Sequence, residues 1–241
     1  MNFNNNNYLG EMNMGEPFEV KATKTYVAMI LDKSGSMSDI KKITVSGFNE
    51  HVQTLVTEGK DGTEIFASLI MFNGHVEAEF FNAPVLALRE ISEDSYNPVG
   101  STAMYDAVGY ALDRFAAETD IDDPNNAYLV MIFSDGEENA STKWNSARLA
   151  ERIQQLKLTD RWTFTYVGAN QDLSKISQTL NIDDTNVYRG WHPTDDTTSI
   201  QMMASSNSGL ESYMTCRKSG GTSVKNFYKP EATVKTEDKV V

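Results

Sequence analysis

The stretch that decides the fold is Thr25–Ser36, which reads TYVAMILDKSGS. Its first seven residues, Thr25–Leu31, are apolar almost throughout, which is typical of a strand covered on both faces in the middle of a parallel sheet. A second such run, Tyr128–Phe133, is followed directly by Ser134-Asp135-Gly136. The two stretches therefore predict buried parallel strands, each ending in a loop that is rich in oxygen ligands.

Further strands and helices alternate along the rest of the chain. Strand character marks Ile65–Phe72 and Trp162–Val167, and Asn186–Arg189 is a shorter candidate for a late edge strand. Apolar residues at helical spacing separate the strands over 40–56, 104–116, 144–156, 173–180 and 200–214, most clearly in the second of these ranges. Strands that alternate with helices of this length imply right-handed βαβ units.

One pair of strands breaks the alternation. Asn73-Gly74 lies between Ile65–Phe72 and Val76–Phe81, and Asn-Gly between two β-rich runs is a strong hairpin signal. The third strand is therefore expected to be antiparallel and to lie at the sheet edge. The predicted fold is an open, doubly wound α/β sheet that is mostly parallel, has one antiparallel edge strand and carries helices on both faces.

The composition indicates one folded domain with two extensions. The first residues, 1–22, are Asn-rich and are expected to form a flexible lead-in, and 23–217 is expected to be the domain. The last stretch, Lys218–Val241, has few apolar anchors and is expected to be a flexible tail. The single Cys216 excludes a disulfide framework and a thiolate zinc site within one chain.

Charge and hydropathy exclude several classes of function. With 21 basic and 34 acidic residues the net charge is -13, which repels phosphate backbones, so no nucleic-acid partner is expected. No apolar run approaches the roughly 20 residues that span a bilayer, so no membrane partner is expected either. The start, MNFNNNNYLG, lacks the features of a secretory signal, and we expect a cytoplasmic location.

The oxygen-rich loops are expected to meet at one edge of the sheet. In open α/β sheets ligands bind at the carboxyl ends of strands, near the point where the strand order reverses. Three loops would meet there: 32–36, 134–136 and Gly100-Ser101-Thr102, which precedes the clearest helix. Carboxylates and hydroxyls without thiolates or clustered imidazoles suit a hard divalent cation. Gly35 is expected to let the first loop turn tightly.

Each of these features also has an ordinary alternative. An Asp or Ser after a strand is often only a helix N-cap, and Ser101 or Thr102 could cap the helix that follows. Asp135-Gly136 could be a plain turn. The combination, with each loop beside the appropriate element, favours the cation site over these alternatives.

In this combination the chain resembles the von Willebrand factor A (vWA) domain family, over roughly 25–214. The metal-ion-dependent adhesion site of that family is built from an Asp-x-Ser-x-Ser loop, a distant Thr and a further Asp. The positions that match are Asp32, Ser34, Ser36, Thr102 and Asp135. The resemblance implies a bound Mg²⁺ (or Ca²⁺ or Mn²⁺) that the three hydroxyls contact more directly, while the two carboxylates act partly through water.

The resemblance also carries expectations about the kind of member. Lys33 is a departure that matters, because a cation between two ligand positions opposes the metal charge unless its side chain points away. The chain is more similar to intracellular, single-domain bacterial or phage members than to adhesion receptors.

Three functions stay open from the sequence. The first is a metal-dependent protein-interaction module, whose protein partner presents an Asp or Glu carboxylate to the cation. The second is a Mg²⁺-dependent hydrolase or phosphotransferase, which is disfavoured because the chain has no phosphate-binding loop, dinucleotide fingerprint or Gly-x-Ser-x-Gly elbow, so no enzyme is expected. The third is a structural assembly subunit in which the metal only braces the loops.

Overall fold

The structure is a computed structural model that describes residues 23–169 and 173–228. Within these ranges the strands are β1 (Lys24–Asp32), β2 (Glu64–Phe72), β3 (Val76–Pro84), β4 (Asn126–Ser134), β5 (Trp162–Gly168) and β6 (Val187–Tyr188). The α-helices are α1 (Lys41–Gly59), α2 (Met104–Glu118), α3 (Ser146–Lys157), α4 (Leu173–Leu180) and α5 (Asp196–Lys218). None of the helices in the described part of the chain is long and apolar enough to cross a lipid bilayer.

The strands form one sheet in the order β3-β2-β1-β4-β5-β6. All neighbouring pairs are parallel except β2 and β3, so the antiparallel strand lies at the edge as predicted. The turn between β2 and β3 is closed by the side chain of Asn73, whose Oδ1 accepts the backbone N–H of His75 at 2.9 Å. The order reverses between β1 and β4, which places the expected ligand-binding crevice between these two strands.

The sheet is covered by helices on both faces. Alternate residues of β1 face opposite sides, as the pleat of a strand requires. Val27, Met29 and Leu31 belong to the core beneath α1 and α5, whereas Ala28 and Ile30 belong to the core beneath α2 and α3. The doubly wound, mostly parallel sheet predicted from the sequence is therefore confirmed.

The chain beyond α5 differs from the expected flexible tail. Phe227 and Tyr228 are only 2% and 8% exposed. The backbone N–H of Phe227 donates to Asn186 Oδ1 at 2.9 Å, and its ring packs against Gly209 of α5. Two aromatic side chains with a place in the core hold residues 219–228 on the domain, so a tail cannot begin at Lys218. The predicted lead-in, 1–22, and residues 229–241 lie outside the described residues.

Candidate metal centre

The predicted loops meet at the carboxyl edge of the sheet, between β1 and β4. Asp32 is the last residue of β1, and Asp135 directly follows the neighbouring strand β4. The backbone N–H of Gly35 donates to the carbonyl of Gly100 at 3.1 Å, which fixes the first loop against the loop that carries Thr102. All five predicted site residues therefore lie in one place, although up to 103 positions separate them in the chain.

Three hydroxyl groups from two loops surround a common space. The Oγ atoms of Ser34 and Ser36 are 3.2 Å apart. A methyl group on Gly136 would lie 3.0 Å from Thr102 Oγ1, 3.5 Å from Ser36 Oγ and 3.6 Å from Ser34 Oγ. Because Gly136 has no side chain, the three hydroxyls are left to face this space.

The two carboxylates hold the hydroxyl-bearing residues in position. Asp32 is fully buried, and its Oδ1 accepts the backbone N–H of Ser34 at 2.7 Å. Its Oδ2 accepts the hydroxyl of Ser134 at 2.6 Å. Asp135 Oδ1 accepts the hydroxyl of Ser36, also at 2.6 Å. Each carboxylate thus has a partner already in the protein and orients a residue of the hydroxyl set.

The electrostatics of the site favour a bound cation. Burial raises the pKa of Asp32 to about 6, the nearby charge of Asp135 adds to the rise, and hydrogen bonds from Ser134 and Ser34 oppose it. Burial likewise raises the pKa of Asp135, against the hydrogen bond from Ser36. Neighbouring negative charge adds to the effect of burial, from Asp135 on Asp32 and from Asp39 on Asp135, and a divalent cation bound nearby would relieve that cost.

Lys33 points away from the hydroxyl groups. Its Nζ donates to Glu77 Oε2 on the edge strand β3 at 3.2 Å. The lysine charge is therefore paired outside the site, and this departure from the family pattern does not oppose a metal. Only the Lys33 backbone belongs to the site loop, since its N–H donates to the carbonyl of Phe72 at 2.6 Å.

The capping alternative does not apply to the loop before α2. The N-cap of α2 is Ala103, and the first-turn N–H groups of Tyr105 and Asp106 donate to side chains that follow β4, so neither Ser101 nor Thr102 has the capping role. Among residues 23–169 and 173–228, no group of three or more His, Cys, Asp or Glu side chains could hold a metal ion. A metal at this edge would therefore depend on the serine and threonine hydroxyls.

The expectation for Gly35 is wrong. Gly35 is not among the glycines with positive φ, and a methyl group there would meet only Gly100 backbone atoms at 3.6 and 3.7 Å, an ordinary contact. The glycine with a left-handed backbone is Gly100, at φ +86°. The tight approach of the two loops thus requires a glycine in the second loop rather than in the first.

Several supporting residues were not found from the sequence. Ser134 belongs to a predicted loop but not to the predicted ligand set, and its place at the end of a strand next to β1 is the signal for its contact with Asp32. The hydroxyl of Tyr96 donates to the Asp32 carbonyl, and Asn139 Oδ1 accepts the Thr102 backbone N–H at 2.9 Å. Tyr96 is 64 positions from Asp32, and no local pattern marks it.

Comparison with known proteins shows similarity in structure but not in sequence. No family model matches the chain, and no curated protein matches its sequence. A D319A mutant of the PilB minor pilin from Streptococcus sanguinis has a similar structure, with 9% identity over 86% of this chain and 65% of that chain and a TM-score of 0.55. Proximal thread matrix protein 1 from the mussel byssus follows, with 12% identity over 76% of this chain and 45% of that chain and a TM-score of 0.53.

A third similar structure is von Willebrand factor type A from Catenulispora acidiphila, with 15% identity and a TM-score of 0.48. It is matched over 79% of this chain and 43% of its own length. The chain thus spans less than half the length of the mussel and Catenulispora proteins. At these identities the similarities concern the fold.

Proposed function

We propose that this chain is a metal-dependent protein-interaction module. A divalent cation binds at the candidate metal centre, and a carboxylate of the partner completes its coordination sphere. The observation that carries the proposal is the convergence of the Ser34, Ser36 and Thr102 hydroxyls on the space beside Gly136. The loop after β1 and the loop before α2 supply these groups, and the buried carboxylates of Asp32 and Asp135 hold the two serines.

The donor set fits a hard cation. All five residues offer oxygen, which suits Mg²⁺, Mn²⁺ or Ca²⁺ rather than a soft metal. Both Asp32 oxygens accept hydrogen bonds from the protein, which supports a role through water for this carboxylate. The two carboxylates balance the charge of a divalent ion, and the three hydroxyls add none. When bound, the cation would supply Lewis acidity to an incoming oxygen ligand.

A carboxylate is the partner group that this site would favour. An ion held by neutral hydroxyls, with carboxylates acting partly through water, favours an anionic oxygen at an open position over another neutral one. The net charge of -13 opposes an acidic partner at long range. Salt limits that repulsion to roughly 8–10 Å, so short-range coordination must supply the attraction.

Two other functions compete with this proposal. A Mg²⁺-dependent hydrolase or phosphotransferase would show turnover, and a structural assembly subunit would need the metal only for its shape. We also propose, from the sequence, a cytoplasmic setting in a bacterial or phage system, which fractionation of the native cell would test.

The first experiment tests the metal ligands. Ser36→Ala removes one of the three hydroxyls, and we expect it to weaken Mg²⁺ or Mn²⁺ binding at least tenfold in calorimetry, about 1.4 kcal/mol. Ser38→Ala is the matched control, because this exposed hydroxyl donates to the Gly35 carbonyl at 2.8 Å and is not one of the three hydroxyls beside Gly136. Equal binding by the two variants would contradict the assignment.

The second experiment tests the partner. Affinity capture from the native cell in Mg²⁺, repeated in chelator, should yield a protein that is lost when the metal is removed. Single Asp→Asn and Glu→Gln changes on that protein should then identify one carboxylate whose loss abolishes binding. If chelator abolishes binding and no single carboxylate matters, the metal only shapes the loops.

A further inference from the structure

A groove leads away from the candidate metal centre along α2. It encloses about 510 Å³. Its floor consists of Ala103, Asp106, Tyr110 and Asp113, which recur at spacings of three and four and so share one face of the helix. The β2–β3 turn forms one wall, and residues 140–144 form the other. We refer to this feature as the α2 groove.

The upper end of the α2 groove is built on the backbone of a predicted metal ligand. Ala103 follows Thr102 directly, and its N–H donates to the Asn73 carbonyl at 2.7 Å. On the other side, the N–H of Ala140 donates to the Thr102 carbonyl at 3.1 Å. A partner group that binds a metal beside Thr102 therefore stands at the entrance of the groove.

Asp113 is the carboxylate in the groove that remains available to a partner. Asp106 already accepts the backbone N–H groups of Thr142, Lys143 and Trp144 at 2.7–2.9 Å, so its oxygens are occupied. Asp113 is exposed, and within the described part of the chain its side chain makes no hydrogen bond or ion pair. The groove thus ends in an unpaired negative charge.

An aromatic ring lies one helical turn from that charge. The hydroxyl of Tyr110 accepts a hydrogen bond from Arg114 Nη1 at 2.9 Å, which fixes the orientation of the ring. A basic side chain that reaches Asp113 could lie against this ring, and a cation over an aromatic face is attracted to it. The guanidinium of Arg114 already lies 5.7 Å from the centroid of this ring and pairs with Glu118, and Lys143 also lines the groove. The preference for Lys or Arg therefore comes from the unpaired charge of Asp113.

The length of the groove sets the spacing of the partner's residues. Ala103 and Asp113 are ten residues apart on a helix, which corresponds to about 15 Å. An extended chain rises about 3.3 Å per residue, so four to five residues cover this distance. Because a basic side chain is itself long, the number of residues needed between the acidic and the basic residue falls by about one.

From these features we infer that the partner binds as a short extended segment. Its acidic residue completes the coordination sphere of the metal. A Lys or Arg three to five positions away pairs with Asp113, with its side chain beside the Tyr110 ring. This inference rests on the proposed function, because the acidic residue needs the metal.

The test uses synthetic fluorescein-labelled peptides in a Gly-Ser host. Each carries one Asp and one Arg separated by one to six positions, in both orders, and a reference peptide carries Asp alone. In Mg²⁺, fluorescence anisotropy should show that separations of three to five bind roughly three- to tenfold more tightly than the reference, as an ion pair aided by a ring contact would give. Chelator should abolish the binding of every peptide.

Variants separate the groove from the metal. Asp113→Asn should bind all peptides as weakly as the reference, and Asp122→Asn, which removes an equal charge from an exposed site outside the groove, should retain the advantage. In Asp113→Arg, the tighter binding at separations of three to five should be seen for peptides in which Glu replaces Arg, and no longer for the Arg peptides.

Two results would overturn the inference. If chelator abolishes binding but neither the separation nor Asp113→Asn alters it, the groove is not used, although the proposed function stands. If the peptides do not bind, or bind equally in chelator, both the inference and the carboxylate part of the proposed function are wrong.

Discussion

His51 is a buried histidine on α1 without a partner for one of its ring nitrogens. It is 1% exposed, and its ring centroid lies 5.7 Å from that of Phe133 on β4. Within the described residues Nε2 has no hydrogen-bond partner. Burial lowers the pKa of His51 to about 4, although a hydrogen bond with the Gly47 backbone opposes the shift. The imidazole is therefore neutral in the folded protein at neutral pH.

This residue makes stability depend on pH. The unfolded chain binds a proton near pH 6.5 and the folded chain only near pH 4, so acid favours unfolding between these values. Above pH 6.5 the neutral ring makes its full contribution to the free energy of unfolding. About 3 kcal/mol of that free energy is lost when the pH falls to 4. We therefore expect the free energy of unfolding of His51→Leu, relative to that of wild type, to rise by about 3 kcal/mol when the pH is lowered from 7 to 4. Urea unfolding with chelator present would measure this difference.

The comparison with wild type is needed because Asp32 acts in the opposite direction. Its pKa is raised to about 6 in the folded state, so protonation of Asp32 stabilises the metal-free fold as the pH falls through that range. A stability difference between the two proteins that is constant across pH would show that His51 does not titrate as described.

Single residues also show how far the sequence predicts the site. The Asp-x-Ser-x-Ser spacing could be found because it is local, and Thr102 and Asp135 could be found because each lies beside a recognisable strand or helix. Tyr96 and Asn139 could not, because their contacts depend on how distant loops fold back on the site. The role of Gly136 depends on three hydroxyls from two other loops, and no pattern within one loop contains that information.

At the scale of elements, the segment after α5 is a part of the core that composition does not reveal. Gly and Ser supply four of its ten residues, 219–228, and its anchoring depends on Phe227 and Tyr228 near its end. The Tyr228 and Ser206 hydroxyls are 3.3 Å apart, and the Val224 N–H donates to Thr163 Oγ1 at 2.9 Å. The strands and the hairpin, in contrast, have local patterns and were predicted.

Shortening this segment should destabilise the domain. We compare a chain that ends at Tyr228 with one that ends at Lys225. Removing two buried aromatic side chains should lower the free energy of unfolding by about 3–6 kcal/mol, because each contributes about 1.5–3 kcal/mol by burial. Thermal and urea unfolding of the two chains would measure this difference. Equal stability would mean that the segment does not hold its place in solution.

At the scale of the whole molecule, the site exists because the sheet reverses its strand order between β1 and β4. The reversal leaves a crevice at the carboxyl edge, and the loops after both strands and before α2 enter it. Residues from three distant parts of the chain thereby bring oxygen atoms to one place, and hydrogen bonds to Asp32 and Asp135 hold three of the serines there. The central claim is that this shared space accommodates a divalent cation.

The most direct test fills that space. A methyl group on Gly136 would lie 3.0–3.6 Å from all three hydroxyls, whereas one on Gly35 would meet only the Gly100 backbone at 3.6 and 3.7 Å. Calorimetric titration with Mg²⁺ or Mn²⁺ should therefore show one bound ion for wild type and for Gly35→Ala. For Gly136→Ala the affinity should fall at least tenfold while the protein remains folded. Equal metal affinity in all three proteins, or none in wild type, would contradict the account.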